Sequence, residues 1–250
     1  MTQRKIIKTY KSSLLLLTLA IEDNYTLLDM FTVLAIYKKL DKIIDNMYKE
    51  INDIIQYELI ENINRNADLI FNITDINKHL HQYQINSIMK NPNTNHTVAF
   101  ELTRNKTRLK NNLRRVLVDA IEKNEDLSMI NRRIKNLVYN KVYGKTKGDA
   151  YKTLRTFRTE YTRTRTQAKL DAIQEVEKDG YTVTRHWLYT FEAKKPRPSH
   201  LASDGLAENE QGYFIIDGYK TKGPGLFGVA SEDINCRCDT EIYVTRPNNN

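Results

Sequence analysis

All nine glycines of this 250-residue chain lie at Gly144 or later, and four of its five prolines lie at Pro196 or later, the exception being Pro92. Glycine and proline interrupt helices more strongly than any other residue. The first 143 residues lack one breaker and almost lack the other. That predicts long helices joined by polar connections, with no strand up to about Tyr143. The remainder is rich in turn formers and predicts a compact, mixed module. The expected fold class is α+β: a long N-terminal α-helical region over 1–148, a small mixed α+β domain over 149–246, and a polar tail over 247–250.

Apolar periodicity fills in the elements. Leu27, Leu28, Phe31, Leu34, Ala35 and Leu40 share one helical stripe, continued by Ile43, Ile44, Met47, Ile51, Ile54 and Ile55. The Asn-rich run Asn62 to Asp75 reads as a break, and Lys90 to Thr97, with Pro92, as a loop. Leu102 to Glu122 and Asp126 to Tyr143 read as two basic helices, after which Gly144 and Gly148 bracket a hinge-like Lys-Thr-Lys. Asp149 to Asp179 reads as one long helix with Ala150, Leu154, Phe157, Tyr161, Ala168, Ala172 and Val176 near one face and Gly180 as its C-cap. Tyr181 to Thr190, Tyr213 to Ile216 and Cys236 to Val244 are the strand candidates.

Arg4, Lys5, Lys8 and Lys11 precede the apolar run Leu14 to Ile21, a pattern that imitates a secretion signal. The cleavage site is poor, and the run is well short of the ~20 residues that a membrane span needs. An amphipathic helix with a buried leucine cluster, and no membrane association, is the expectation.

The net charge of +8 is concentrated in one segment. Residues 101–170 carry 19 Lys/Arg against 7 Asp/Glu, a net +12, so the rest of the chain is net acidic. Arg104, Arg108, Arg114, Arg115, Arg132 and Arg133 are candidates for contact with duplex DNA without sequence readout, since Lys and Arg neutralise phosphates whatever the bases. The only two cysteines, Cys236 and Cys238, stand too close in sequence for an unstrained bridge, and a reducing compartment fits them.

The most specific pattern is W-(x9)-R-P-S-H-(x3)-D-G, then F-I-I-D-G, G-P-G and I-N-C-R-C. These are Trp187, Arg197 to His200, Asp204-Gly205, Phe214 to Gly218, Gly223 to Gly225 and Ile234 to Cys238. Arg158-Thr159-Glu160 stands upstream in the long helix. In order and spacing these elements resemble the C-terminal domain of the Mu F-like minor head proteins, the head morphogenesis family of tailed bacteriophages, over about Phe157 to Val244. Glu192 stands where that family often has an acidic residue, and Lys194-Lys195 depart from its commoner pattern. The resemblance implies a structural cluster of Arg158, Glu160, Trp187, Arg197, His200, Asp204, Gly205, Asn235, Cys236, Arg237 and Cys238. It also implies a virion protein of the head interior or portal vertex, present in host cytoplasm during assembly. The portal protein, the major capsid protein or scaffold, and non-specific double-stranded DNA would be its partners. No catalysis and no cofactor are expected.

Two other readings are weighed beside this one. An ADP-ribosyltransferase-like toxin would need an Arg and a later Glu-x-Glu. Arg158 and Glu208-Asn209-Glu210 supply these, but the intervening Ser-Thr-Ser strand is missing. A plain DNA-binding protein has no helix-turn-helix or stacking pattern behind it. For metal, His200, Cys236 and Cys238, with Asp204 as a further donor, are a chemically acceptable zinc set. A single residue between the cysteines departs from the usual two-residue knuckle, and the expectation is a metal-free polar cluster in which one fold joins His200 to the cysteine pair.

Overall fold

The computed structural model describes residues 1–23, 30–190 and 196–246. Leu27, Leu28, the side chain of Phe31, Glu192, Lys194, Lys195 and the tail 247–250 lie outside the described residues.

The glycine-poor part folds as expected into helices: α1 (Thr2–Glu22), α2 (Met30–Ile73), α3 (Gln82–Ile88), α4 (Val98–Glu122) and α5 (Leu127–Val138). Helix α2 buries Ile36, Leu40, Ile44, Met47, Ile51, Ile55, Leu59, Ile63, Ala67 and Ile70, an unbroken three-and-four spacing that holds one face inward from Ile36 to Ile70. That stripe corrects the expected break at Asn62 to Asp75. The asparagines sit on the helix without ending it, because Asn62 Nδ2 donates to Tyr161 O at 3.0 Å and Asn66 Nδ2 donates to Asn62 O at 2.8 Å. In α1, Leu17 and Ile21 are buried, whereas Leu15, Leu16 and Leu19 are exposed, so the expected leucine cluster is only partly internal. Asp126 caps α5 by accepting from Met129 N at 2.8 Å.

The expectation of no strand before Tyr143 is also corrected. Strand β1 (Asn140–Val142) pairs antiparallel with β2 (Lys145–Lys147), so the supposed hinge is a hairpin. Tyr143 and Gly144 at its tip both have positive φ, the geometry of a type I′ turn. Gly148 then starts α6 (Gly148–Lys178). A Cβ there would lie 2.8 Å from Leu137 O, and its φ is +74°, so only glycine fits.

The remaining elements are β3 (Thr182–Leu188), α7 (Pro198–Ala202), β4 (Phe214–Ile216), β5 (Tyr219–Thr221), α8 (Ala230–Asp233) and β6 (Asp239–Thr245). Strands β3 and β6 pair antiparallel, with Trp187 opposite Thr240, and β4 and β5 form a hairpin. The class is α+β: long N-terminal helices and small antiparallel sheets near the C-terminus.

The chain forms two compact units. One comprises Met1–Gln56 and Val98–Arg155, the other Tyr57–Thr97 and Thr156–Asn250. Helices α2 and α6 contribute residues to both, and the 148/149 boundary read from the glycines marks the start of α6. In the first unit, Tyr10 of α1 and Tyr48 of α2 both donate to Asp149 Oδ2, Tyr10 at 2.7 Å, and Tyr10 also meets Thr153 Oγ1 at 2.7 Å. This polar knot ties three helices.

Candidate functional site

The second unit is organised by a polar face of α6. Residues 158, 162, 165 and 169 are spaced by three and four and so lie on one side of the helix. Arg158 Nε donates to Asn235 Oδ1 at 3.0 Å, and Thr162 Oγ1 to Cys236 O at 2.7 Å. Arg165 Nη2 donates to Cys238 O at 2.7 Å, and Lys169 Nζ to Thr240 O at 3.0 Å and to Asp239 Oδ1 at 2.8 Å. Thr159 Oγ1 accepts from Asn235 N at 3.0 Å. The helix therefore reads the backbone of residues 235–240 almost residue by residue. Burial pushes the Lys169 ammonium down from its ordinary value, and the Asp239 carboxylate opposes that. Thr166 Oγ1 donates to Pro224 O at 2.7 Å. Gly225 (φ +79°) lies so close to Arg163 that a Cβ would stand 3.0 Å from its backbone nitrogen. The G-P-G motif is thus a close-approach site against α6.

The Asn235–Cys238 segment precedes β6 rather than belonging to it, yet both cysteines are buried in one core. Trp187, Tyr189, Phe214, Ile216 and Phe227 surround them. Trp187 packs edge-on to His200 and Phe214, with centroids at 5.4 and 5.5 Å, and Phe227 stacks on His200 at 5.4 Å. The Pro198 start of α7 places His200 inside this core. Its Nδ1 lies 3.7 Å from Cys236 Sγ and 3.6 Å from Cys238 Sγ. The cluster expected from the two distant motifs is therefore formed. On the other side, His200 Nε2 meets Glu232 Oε2 at 3.0 Å, so the ring is held between that carboxylate and the two sulfurs.

The two thiols interact. Hydrogen bonds from Cys238 and then His200 hold Cys236 well below its ordinary value, while donation to Cys236, added to burial, pushes Cys238 up. Among the described residues the buried Trp187 Nε1 meets no acceptor in good hydrogen-bond geometry, though the indole still pulls the Cys238 thiol down.

Other motif residues have separate tasks. Arg197 Nη2 donates to Ile234 O at 2.7 Å, and its Nε stands 3.9 Å from Glu232 Oε2. Asp204 Oδ1 accepts from Tyr189 N at 2.8 Å, so its carboxylate serves the loop and not the cluster. Gly205 N donates to Trp187 O at 2.8 Å. Arg237 is half-buried, and its carbonyl accepts from Thr190 Oγ1 at 3.0 Å. Glu160 Oε2 accepts from Arg163 Nε at 2.7 Å. A cavity of about 270 Å³ adjoins the cluster and is lined by Arg197, His200, Asn235, Arg237 and Cys238, with Tyr189, Thr190 and Ile234.

Glu232 and Arg185 are the important residues the motifs did not single out. Glu232 could have been suspected only from its place four residues before Cys236. Arg185 pairs with Glu208 through Nη2 and donates to Gly212 O at 2.8 Å. Of the candidate toxin pair, Arg158 is hydrogen-bonded to Asn235 and Glu208 is paired with Arg185.

The candidate DNA-contacting residues also divide. Lys106 and Lys110 pair with Asp45, and Arg114 with Asp41, on the α2 side of α4. Arg133 pairs with Asp119 and Glu125. Arg104, Arg108 and Arg115 share the outer face of α4 and are exposed, as is Arg132 on α5. Arg104 is paired with Glu101 at 3.1 Å, and Arg115 is hydrogen-bonded to Asn112.

No solved structure matches this chain. A segment of 87 residues, 35% of the chain, is 40% identical to the NAD(+)–arginine ADP-ribosyltransferase EFV of Enterococcus faecalis (strain ATCC 700802 / V583). The match spans only 18% of that relative's length. A family match described as Phage Mu protein F like protein covers residues 111–241. It takes in α6 with its polar face, the Trp187 strand, the His200 loop and the cysteine pair, over more than half of the chain. With those elements in the family's order and joined in one core, the chain belongs to the phage Mu protein F like family.

Proposed function

We propose that this protein is a minor head protein of a tailed phage, acting at or near the portal vertex during head assembly. The observation that carries the reading is membership in a phage head protein family over residues 111–241. The second unit, with its buried charges paired to one another, supplies a rigid module. The helical part supplies docking faces, and the exposed Leu15, Leu16 and Leu19 of α1 are the apolar surface it offers to a portal or capsid partner. Mass spectrometry of purified particles is expected to find the protein at low copy relative to the major capsid protein. Deleting its gene is expected to leave heads that are malformed or poorly infectious. Complete absence from the particles would end this reading.

A role on packaged DNA is the second part of the proposal. It rests on the exposed row Arg104, Arg108 and Arg115, which is separate from the row that pairs with Asp41 and Asp45. Unrelated duplexes should bind with about equal affinity, weakening steeply as salt rises. Replacing the three exposed arginines with glutamine should reduce the slope of log K against log salt by roughly 2 to 3, at about 0.9 per phosphate contact. If the wild-type protein retains no DNA at low salt, the row is a docking surface for an acidic head protein instead.

A further inference from the structure

We propose that His200, Cys236 and Cys238 form a zinc site with three protein ligands, the fourth position being taken by water from the adjoining cavity. The sequence spacing favoured a metal-free cluster, and the tertiary geometry reverses that preference. The three ligand atoms all lie within 4.8 Å of one another, and their residues are 2%, 1% and 3% exposed.

The two sulfur-to-nitrogen distances fit a shared cation. With Zn–S of about 2.3 Å and Zn–N of about 2.0–2.1 Å at a tetrahedral angle, the sulfur-to-nitrogen separation is about 3.6 Å. The two observed separations are 3.7 and 3.6 Å. A hydrogen-bonded cluster does not require this symmetry. A cation at the point of convergence uses all three donors.

The surroundings fit as well. Glu232 holds the Nε2 side of His200 at 3.0 Å, the carboxylate–histidine pairing that orients an imidazole toward a metal and raises its basicity. Two thiolates would neutralise a divalent cation, and the Arg197 guanidinium stands by Glu232 to offset its charge. Thiolate and imidazole donors select zinc over magnesium or calcium. Among the described residues, neither neighbouring aspartate completes the set. Asp204 accepts from Tyr189 N, and Asp233 accepts from Phe227 N and Gly228 N. The fourth place is therefore left to solvent, and the cavity of about 270 Å³ holds room for it. The ion would join α7 to the segment before β6, two pieces of chain that sequence alone leaves more than 30 residues apart.

The proposal does not depend on the head-protein reading. The test uses the full chain, purified under reducing conditions without a metal-affinity step or chelator. Elemental analysis is expected to find one zinc per chain. After chelation, added Co²⁺ should give the visible bands of a tetrahedral site and a near-ultraviolet thiolate-to-cobalt charge-transfer band. Cys238→Ser should lower that band to about half or less, since one of the two thiolates is gone. Glu232→Gln, which leaves every ligand in place, should weaken Co²⁺ binding by about tenfold or more. If Cys238→Ser fails to fold, the wild-type cobalt spectrum and the Glu232→Gln affinity decide the matter. A folded wild-type protein that carries no zinc and gives no charge-transfer band with Co²⁺ overturns the proposal. So does a charge-transfer band of undiminished intensity in a folded Cys238→Ser variant.

Discussion

Arg185→Ala is expected to lower the unfolding free energy by about 4 kcal/mol, the range seen when one partner of a buried ion pair is removed. Arg185 is 4% exposed. Its Nη2 pairs with Glu208 Oε2 and donates to Gly212 O at 2.8 Å, its Nη1 donates to Lys222 O, and its guanidinium lies over the Phe214 ring with its carbon 5.5 Å from the centroid. Truncation strands the Glu208 carboxylate, which keeps the Arg185 backbone N–H at 2.7 Å but loses its cation. It also removes the donor to two carbonyls. Arg185→Lys should recover little, because an ammonium cannot reproduce the planar fork. The double variant Arg185→Met/Glu208→Leu should recover much of the loss, since an apolar pair leaves no stranded charge. Urea unfolding can be followed through the fluorescence of the sole tryptophan, Trp187, which sits in the same core. A loss below about 1 kcal/mol in the single variant, or no recovery in the double, would show that this network is not what holds the loop from Glu208 to Gly212.

In the first unit the largest single effect is expected at Asp149. Asp149→Ala should cost about 2 kcal/mol, chiefly because the Tyr48 hydroxyl loses its main acceptor in a buried site. Tyr10 keeps Thr153 and suffers less. The pH dependence follows from the environment. Burial raises the Asp149 carboxyl above its ordinary value, and hydrogen bonds from Tyr48 and Tyr10 only partly reverse this. Between the ordinary carboxyl value of about 4 and the raised folded one, the folded protein holds more protons than the unfolded chain. Unfolding free energy should therefore fall as pH rises through that window. Asp149→Asn keeps an acceptor for the tyrosines and removes the ionisation, so its denaturation midpoint should be flatter across the same pH range. Far-ultraviolet dichroism reports on these helices. Equal pH profiles for the wild type and Asp149→Asn would contradict the assignment.

The places where the sequence reading failed share one cause. Asn62 to Asp75 looks polar in sequence, but Ile63, Ala67, Ile70 and Phe71 continue the buried stripe of α2, and Asn62 is satisfied by partners about 100 residues away. Strand β1 is too short, and Asn-Lys-Val too ordinary, to announce a hairpin without its Tyr143-Gly144 turn. In sequence Arg104, Arg108, Arg114 and Arg115 are equivalent candidates, and only the structure gives Arg114 to Asp41.

What the sequence determined by itself was whatever depends on near neighbours along the chain. The glycine distribution set the helical and mixed parts, the three-and-four spacing set the inward face of α2, and motif order identified the family. The tertiary structure alone decided which polar groups meet. Glu232 with His200, Arg185 with Glu208, and the α6 row with residues 235–240 join positions separated by 23 to 77 residues. Each such pairing is worth keeping only because burial makes an unmatched charge or donor so costly. That cost exists only once the core has closed, so local spacing carries no trace of it.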